Sequence, residues 1–376
     1  MSCSSPPVNP RTCAWAPPSI SWVPASTTTA PTSYAPTTWK TSPTWTPAPA
    51  NRFCVSGGLT PMPGLHTLSL PTPFPVGPVN AYVLLGPEPC LIDPGLCSSA
   101  STKALEDGLR AIDLKIESIR HVLLTHRHVD HAGAAALICA KSGATLHAHT
   151  TNRWLSPESE AEEKRTMKFL LDCGVDAELL RKVQIFFGLT ERFWGQTVFS
   201  CTSNHLRGGE HLQLGTQGLE CISTPGHSPD HLCFWDAQEG LLFSGDMLLA
   251  NITPNPLIHL DAQGRSPSLL NYLDSLQVVE DLAADRALAG HGSAIENPQA
   301  LIQRNRQHIS QRAARFASLL EDKPMTPEQL AQAFFGELDP MNHVLAVSET
   351  VAYLDLLERE GKARVNWQAP FLIHRQ

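Results

Sequence analysis

The stretch Thr125-His126-Arg127-His128-Val129-Asp130-His131 places three imidazoles and one carboxylate directly after the apolar run His121-Val122-Leu123-Leu124. Imidazole nitrogen and carboxylate oxygen are ligands of zinc and other borderline divalent ions, and ligands so close along the chain lose little entropy when they converge. The chemistry indicated is metal binding. His126 and His128 stand two apart in an extended segment and can face one side. Asp130 and His131 start a helix and point elsewhere, so one loop can feed two neighbouring ions.

Three later places repeat the same local arrangement. The strand-like Leu219-Glu220-Cys221-Ile222-Ser223-Thr224 ends in Pro225-Gly226-His227, Leu241-Leu242-Phe243-Ser244 ends in Gly245-Asp246, and Arg286-Ala287-Leu288-Ala289 ends in Gly290-His291-Gly292. In each, glycine lets the backbone turn sharply where a side chain must be aimed at an ion. His227, Asp246 and His291 are the candidates that complete the set. His121, His147, His149, His205, His211 and His259 lack that context and are expected to be structural or solvent-facing, while His231, on the following strand, is a candidate substrate contact. Asp93 and Thr125 are candidates for fixing imidazole orientation from behind.

The elements that must hold these residues read as strands first, then strands alternating with helices. Leu65–Leu70, Asn80–Leu85 and Cys90–Asp93 are short apolar runs punctuated by Gly and Pro, as sheet strands are. Ser98–Asp113 has helical spacing, and Ala132–Lys141 is a helix that closes at Gly143. The metal motif therefore sits on a strand-to-helix loop of a mixed α/β sandwich. Between the motif and His227, roughly residues 152–209, lies an insertion of helices broken at Gly174. Its pairs Phe186-Phe187 and Phe193-Trp194 are candidates to roof an apolar pocket over the metals while packing the insertion onto the sandwich.

With 376 residues, 42% hydrophobic and 17% charged, the chain can bury a sizeable core and fold as two units. A net charge of -8 offers no electrostatic footprint for nucleic acid or an anionic membrane. No apolar run approaches the length that spans a bilayer. The ten cysteines form no Cys-x-x-Cys pair and read as reduced, mostly buried thiols, in keeping with a cytoplasmic location. Residues 1–51 are built from Pro, Ser, Thr and Ala with almost no charge and are expected to form a disordered tail.

On these motifs the chain resembles the metallo-β-lactamase superfamily, whose pattern is His-x-His-x-Asp-His, then His, Asp and His. The similarity runs roughly from Leu65 to Arg304 and includes the turn Leu91-Ile92-Asp93-Pro94-Gly95. The resemblance implies a four-layer αββα sandwich with a dinuclear site at one edge. It assigns His126, His128 and His227 to the first metal, Asp130, His131 and His291 to the second, and Asp246 to a bridge. Leu248–Pro256 resembles a segment of bacterial stand-alone hydrolases of the superfamily, although Met247 stands where such relatives often carry another histidine. Residues 52–310 would form the catalytic domain. Residues 311–376, read as helix, helix and hairpin with one helix from Val347 to Gly361, resemble the winged-helix tail of the β-lactamase-like protein 2 group.

The expected activity is that of a metal-dependent hydrolase. Two divalent ions, zinc first with iron or manganese as alternatives, make hydroxide available near neutral pH as a bridging nucleophile, with Asp130 and Asp246 as catalytic carboxylates. The expected substrate is a small ester-like molecule, a thioester or lactone. The rival is a metal-dependent endoribonuclease or phosphodiesterase, and a third class is a metal-binding regulatory protein with little turnover. The acidic balance of Ser348–Lys362 disfavours nucleic acid, so the tail is expected to pack or to support a homodimer.

Overall fold

The computed structural model describes residues 64–150, 157–194, 203–215 and 217–376; the expected tail, 1–51, lies outside the described residues. A first sheet contains β1 (Leu65–Leu70), β2 (Val79–Leu84), β3 (Cys90–Ile92), β4 (His121–Leu123), β5 (Thr145–His149) and β6 (Ser203–Leu206), in that order. Its first three strands pair antiparallel and the rest parallel. The parallel crossovers carry α1 (Ser99–Ala111), α2 (Val129–Ala132), α3 (Ala135–Ser142), α4 (Pro157–Asp172) and α5 (Ala177–Trp194).

The second sheet runs in the order β11-β10-β9-β8-β7, from β7 (His211–Leu214), β8 (Gln217–Ser223), β9 (Leu232–Asp236), β10 (Leu241–Gly245) and β11 (Arg286–Ala289). The helix α6 (Ser268–Asp281) links its last two strands, which are parallel. The C-terminal part comprises α7 (Pro298–Ser318), α8 (Pro327–Phe335), α9 (Pro340–Arg359) and the antiparallel hairpin β12 (Ala363–Asn366) and β13 (Leu372–Arg375).

Side-chain alternation along the strands builds the four layers. On β2, Ala81 and Val83 pack with Leu105 and Leu109 of α1, whereas Tyr82 and Leu84 face the second sheet and meet Leu219, Phe234 and Phe243. On β10, Leu241 and Phe243 face inward and Leu242 packs with Tyr272 and Leu276 of α6. A period of two with both faces covered is what a strand between helices and a second sheet requires. The result is the αββα sandwich.

Several boundaries differ from the sequence expectations. The helix expected over Ala132–Lys141 is two short helices, α2 and α3, separated at Gly133-Ala134, where the Ala134 N–H donates to the Gly95 carbonyl at 2.8 Å. Within 152–209 the helical part is α4 and α5, broken at Gly174 (φ 100°), whereas β6 belongs to the edge of the first sheet. The helix expected from Val347 begins at Pro340, capped by the Asp339 carboxylate, which accepts from the N–H groups of Met341 and Asn342. Its residues Val347, Val351 and Leu354 are fully buried. The core behind the second sheet is continuous from Met247 and Leu248 through Phe316 and Phe334 to Tyr353 and Val365.

Candidate metal centre

All seven candidate ligands meet at one edge of the sandwich, each just beyond the carboxyl end of a strand, on the loop or short helix that follows it. His126 and His128 follow β4, Asp130 and His131 lie in α2, His227 follows β8, Asp246 follows β10 and His291 follows β11. Their ligand atoms fall into overlapping sets, each within 4.8 Å: His126, His128 and His227; Asp130, His131 and His291; and His126, His131 and Asp246. His128 Nδ1 lies 2.9 Å from His126 Nε2 and 3.0 Å from His227 Nε2. In the second set His131 Nε2 is 3.3 Å from His291 Nε2, which is 3.4 Å from Asp130 Oδ2. Asp246 stands between them, with Oδ1 3.5 Å from His131 Nε2 and Oδ2 3.5 Å from His227 Nε2.

Which nitrogen carries hydrogen follows from the groups behind each ring. A carbonyl only accepts, so His291 Nδ1–H donates to Pro78 O at 2.9 Å and His227 Nδ1–H to Asn255 O at 3.2 Å. Asp93 Oδ2 accepts from His131 Nδ1–H at 2.8 Å and from the Thr125 hydroxyl at 2.7 Å. That hydroxyl oxygen is then the acceptor for His126 Nδ1–H at 3.0 Å. The Nε2 atoms of His126, His131, His227 and His291 are thereby turned into the same hollow. Asp246 Oδ1 is also buried there without a hydrogen-bond partner. Converging lone pairs and an orphaned carboxylate oxygen fit divalent cations, and the nitrogen and oxygen donors suit zinc, iron or manganese.

The electrostatics agree. Burial, reinforced by the neighbouring imidazoles, holds His126 and His128 well below the usual imidazole range. His131 goes the other way: burial opposes its charge, but Asp246, Asp93 and Asp130 outweigh burial and raise it. Burial works to raise the Asp246 carboxyl, and the His131 imidazole beside it prevails and holds it well below the carboxylate range. The second set thus draws positive charge even as bare protein, while the first keeps its nitrogens free for a metal.

Backbone and neighbouring elements position each ligand. Gly226, at φ 154°, leaves room for Tyr272 of α6; a Cβ there would lie 2.6 Å from the Tyr272 Cα. At Gly290 a Cβ would meet Asp246 Oδ1 at 2.4 Å, so only glycine lets the His291 loop approach the centre. Asp93 and Thr125 make the ring contacts given above, and the Thr125 N–H also donates to Asp93 Oδ1 at 2.9 Å, with Asp93 at φ 53°.

His231 differs from its expectation as a substrate contact. It is buried, its Nε2 accepts from the Asp246 N–H at 3.1 Å and its Nδ1–H donates to Thr224 Oγ1 at 2.8 Å, so it props Asp246 from below. His121 and His147 are structural, bonded to each other through Nδ1 and Nε2 at 3.0 Å. Of the expected aromatic roof, Phe186 is exposed on α5; the side chains of Phe187, Phe193 and Trp194 lie outside the described residues.

One clamp was not foreseen from sequence. The Asn80 amide donates to Ala289 O at 3.0 Å and Gly292 O at 2.9 Å, its N–H donates to Gly290 O at 2.7 Å, and the Tyr82 hydroxyl donates to Ala289 O at 2.6 Å. Strand β2 of the first sheet thus grips the His291 loop of the second on both sides of the ligand. The available signal was an amide in an otherwise apolar, fully buried strand, which demands a specific partner.

Comparison with known proteins places this geometry in context. The family described as the metallo-beta-lactamase superfamily matches residues 74–291. The probable metallo-hydrolase YqjP of Bacillus subtilis (strain 168) is 30% identical over 311 residues, covering 80% of this chain and 94% of its own. The atrochrysone carboxyl ACP thioesterase of Passalora fulva is 25% identical over 278 residues, covering 71% of this chain and 66% of its own. Among solved structures, a metallo-beta-lactamase family protein from Thermus thermophilus is 30% identical with a TM-score of 0.72, covering 84% of this chain and 99% of that one.

Proposed function

The chain belongs to the metallo-β-lactamase superfamily, and from that premise we propose that it is a dinuclear metal-dependent hydrolase of small esters, with thioesters or lactones as substrate class. The observation that carries the reading is the pair of three-ligand sets sharing Asp246 between them. His126, His128 and His227 would hold one ion, Asp130, His131 and His291 the other, and Asp246 both; zinc suits this donor set best. Ions held there supply Lewis acidity and bring the ionisation of water toward neutral pH. Asp246, which its imidazole neighbours hold low against burial and whose N–H is fixed by His231, would be within reach of either ion. Asp130, whose carboxyl His131 and His291 hold low against burial, is the carboxylate available to take and orient a proton of the attacking water.

The thioester preference draws support from a relative named as an ACP thioesterase. The small-molecule reading draws support from α9, the helix a nuclease tail would present to a groove. Its apolar residues are buried, Asp355 is paired with Arg265 and Glu349 with Arg312. The test is one metal-quantified preparation assayed on thioesters, lactones and single-stranded RNA. About two ions per chain and thioester or lactone hydrolysis, lost on Asp246→Ala, are expected. Full activity in that variant, or cleavage of RNA alone, would overturn the reading.

A further inference from the structure

Arg127 stands between two of the candidate ligands, His126 and His128, and its side chain turns toward the helical insertion. Among the described residues it makes one polar contact, from Nη1 to Glu162 Oε2 of α4 at 3.3 Å, with the two side chains 21% and 29% exposed. A guanidinium carries five N–H donors in a planar fork that matches a carboxylate in two bonds, and charge-assisted bonds of this kind run to about 2.7–2.9 Å. The same chain shows what a completed pair looks like. Arg265 meets Asp355 with Nη1 and Nη2 at 2.6 and 2.5 Å, its guanidinium 4.5 Å from the Trp367 ring centre. Among the described residues Arg127 has none of this: one long bond, no second prong and no aromatic face.

Its surroundings place it at the edge of the metal centre. Burial pushes the His259 imidazole down to about 3, helped first by the charge of Arg127 and then by His227. His259 lies on the loop whose Asn255 carbonyl accepts from His227 Nδ1–H. Arg127 ties the metal loop to α4.

We propose that Arg127 is the recognition residue for a carboxylate carried by the substrate, so that the preferred substrates are esters or thioesters of a dicarboxylic acid. Glu162 already supplies one carboxylate oxygen to this guanidinium, and the prongs that have no partner among the described residues take a second, planar anion of the same kind. Glu162 limits the attraction. The inference rests on the hydrolase reading and deepens it.

The test compares glutaryl and valeryl thioesters of N-acetylcysteamine, equal in chain length and differing in the terminal carboxylate. The ratio of their kcat/KM values should favour the glutaryl thioester and fall roughly tenfold or more in Arg127→Gln. Arg127→Lys should retain part of the preference, since it keeps charge and loses the fork, and Glu162→Gln should raise it. A ratio unchanged in Arg127→Gln overturns the proposal, as does a ratio that falls in Glu162→Gln. Calorimetric titration with monomethyl glutarate is independent of turnover. If metal-loaded protein leaves both thioesters intact, the hydrolase reading fails. Weaker binding in Arg127→Gln than in the parent chain would still establish the carboxylate site, and equal binding would remove it.

Discussion

Asp93 Oδ2 lies 2.8 Å from His131 Nδ1, and both side chains are buried. The same oxygen holds Thr125 and, through its hydroxyl, His126, so one carboxylate sets the orientation of a ring in each half of the centre. Removing such a partner typically costs about 10- to 100-fold in metal affinity. Asp93→Ala should therefore weaken binding at the Asp130, His131 and His291 set by about that factor, measured by competition with a chromophoric chelator. Asp93→Asn, which tolerates the left-handed backbone at φ 53°, should lose less.

Asn80→Ala should act on one half of the centre. It removes the two amide bonds that grip Ala289 and Gly292 while leaving His126, His128 and His227 untouched. Metal content after dialysis against weak chelator should drop from about two toward one per chain. Two ions retained with unchanged affinity would show that β2 does not hold His291 in place.

Acid should destabilise the fold through His147. Burial, and then the neighbouring His121, push its imidazole from 6.5 down to about 4. The Asn204 amide donates to His147 Nδ1 at 3.3 Å, so a second ring proton would face a donor. The folded value lies below the unfolded one, so the unfolded chain takes up the proton first. Stability is complete above about pH 6.5 and falls by up to about 3 kcal/mol as the pH drops toward 4. Urea midpoints across that range should decline, and His147→Leu should lessen the slope by about one proton.

Arg265→Ala should unfold the C-terminal side of the molecule more readily than the metal edge. Burial raises the Asp355 carboxyl and Arg265 offsets it, so the variant strands a buried acid. The expected loss is about 3–5 kcal/mol in chemical denaturation. Arg265→Met combined with Asp355→Leu should recover most of it; failure to recover would mean that the rings of Phe169 and Trp367 need the guanidinium itself.

The candidate ligands were legible because their residue types are few, crowded after β4 or, for His227, Asp246 and His291, set just after a strand and a glycine. The layer order was legible because strands and helices alternate with clear periods. What escaped depends on distance along the chain: the Asn80 amide reaches a carbonyl 209 residues away, and nothing local marks the pairing. His231 has the residue type of a ligand and the burial of a prop, a difference that lies in the Asp246 N–H and the Thr224 hydroxyl that occupy its two ring nitrogens. The early start of α9 was legible in principle, since Asp339-Pro340 is a cap followed by a first-turn proline, but the polar Asn342-His343 after it hides the apolar period.

The unbroken core from Met247 to Val365 bears on how this chain can change over time. Met247 and Leu248 directly follow Asp246 and pack in the same cluster as Phe316, Phe334 and Tyr353 of the last three helices. A tail borrowed from a relative would press new shapes against the wall that carries Asp246. The C-terminal helices consequently share one packed wall with the segment that follows Asp246, so a change of side-chain volume at Phe316, Phe334 or Tyr353 bears on Met247 and Leu248 as well.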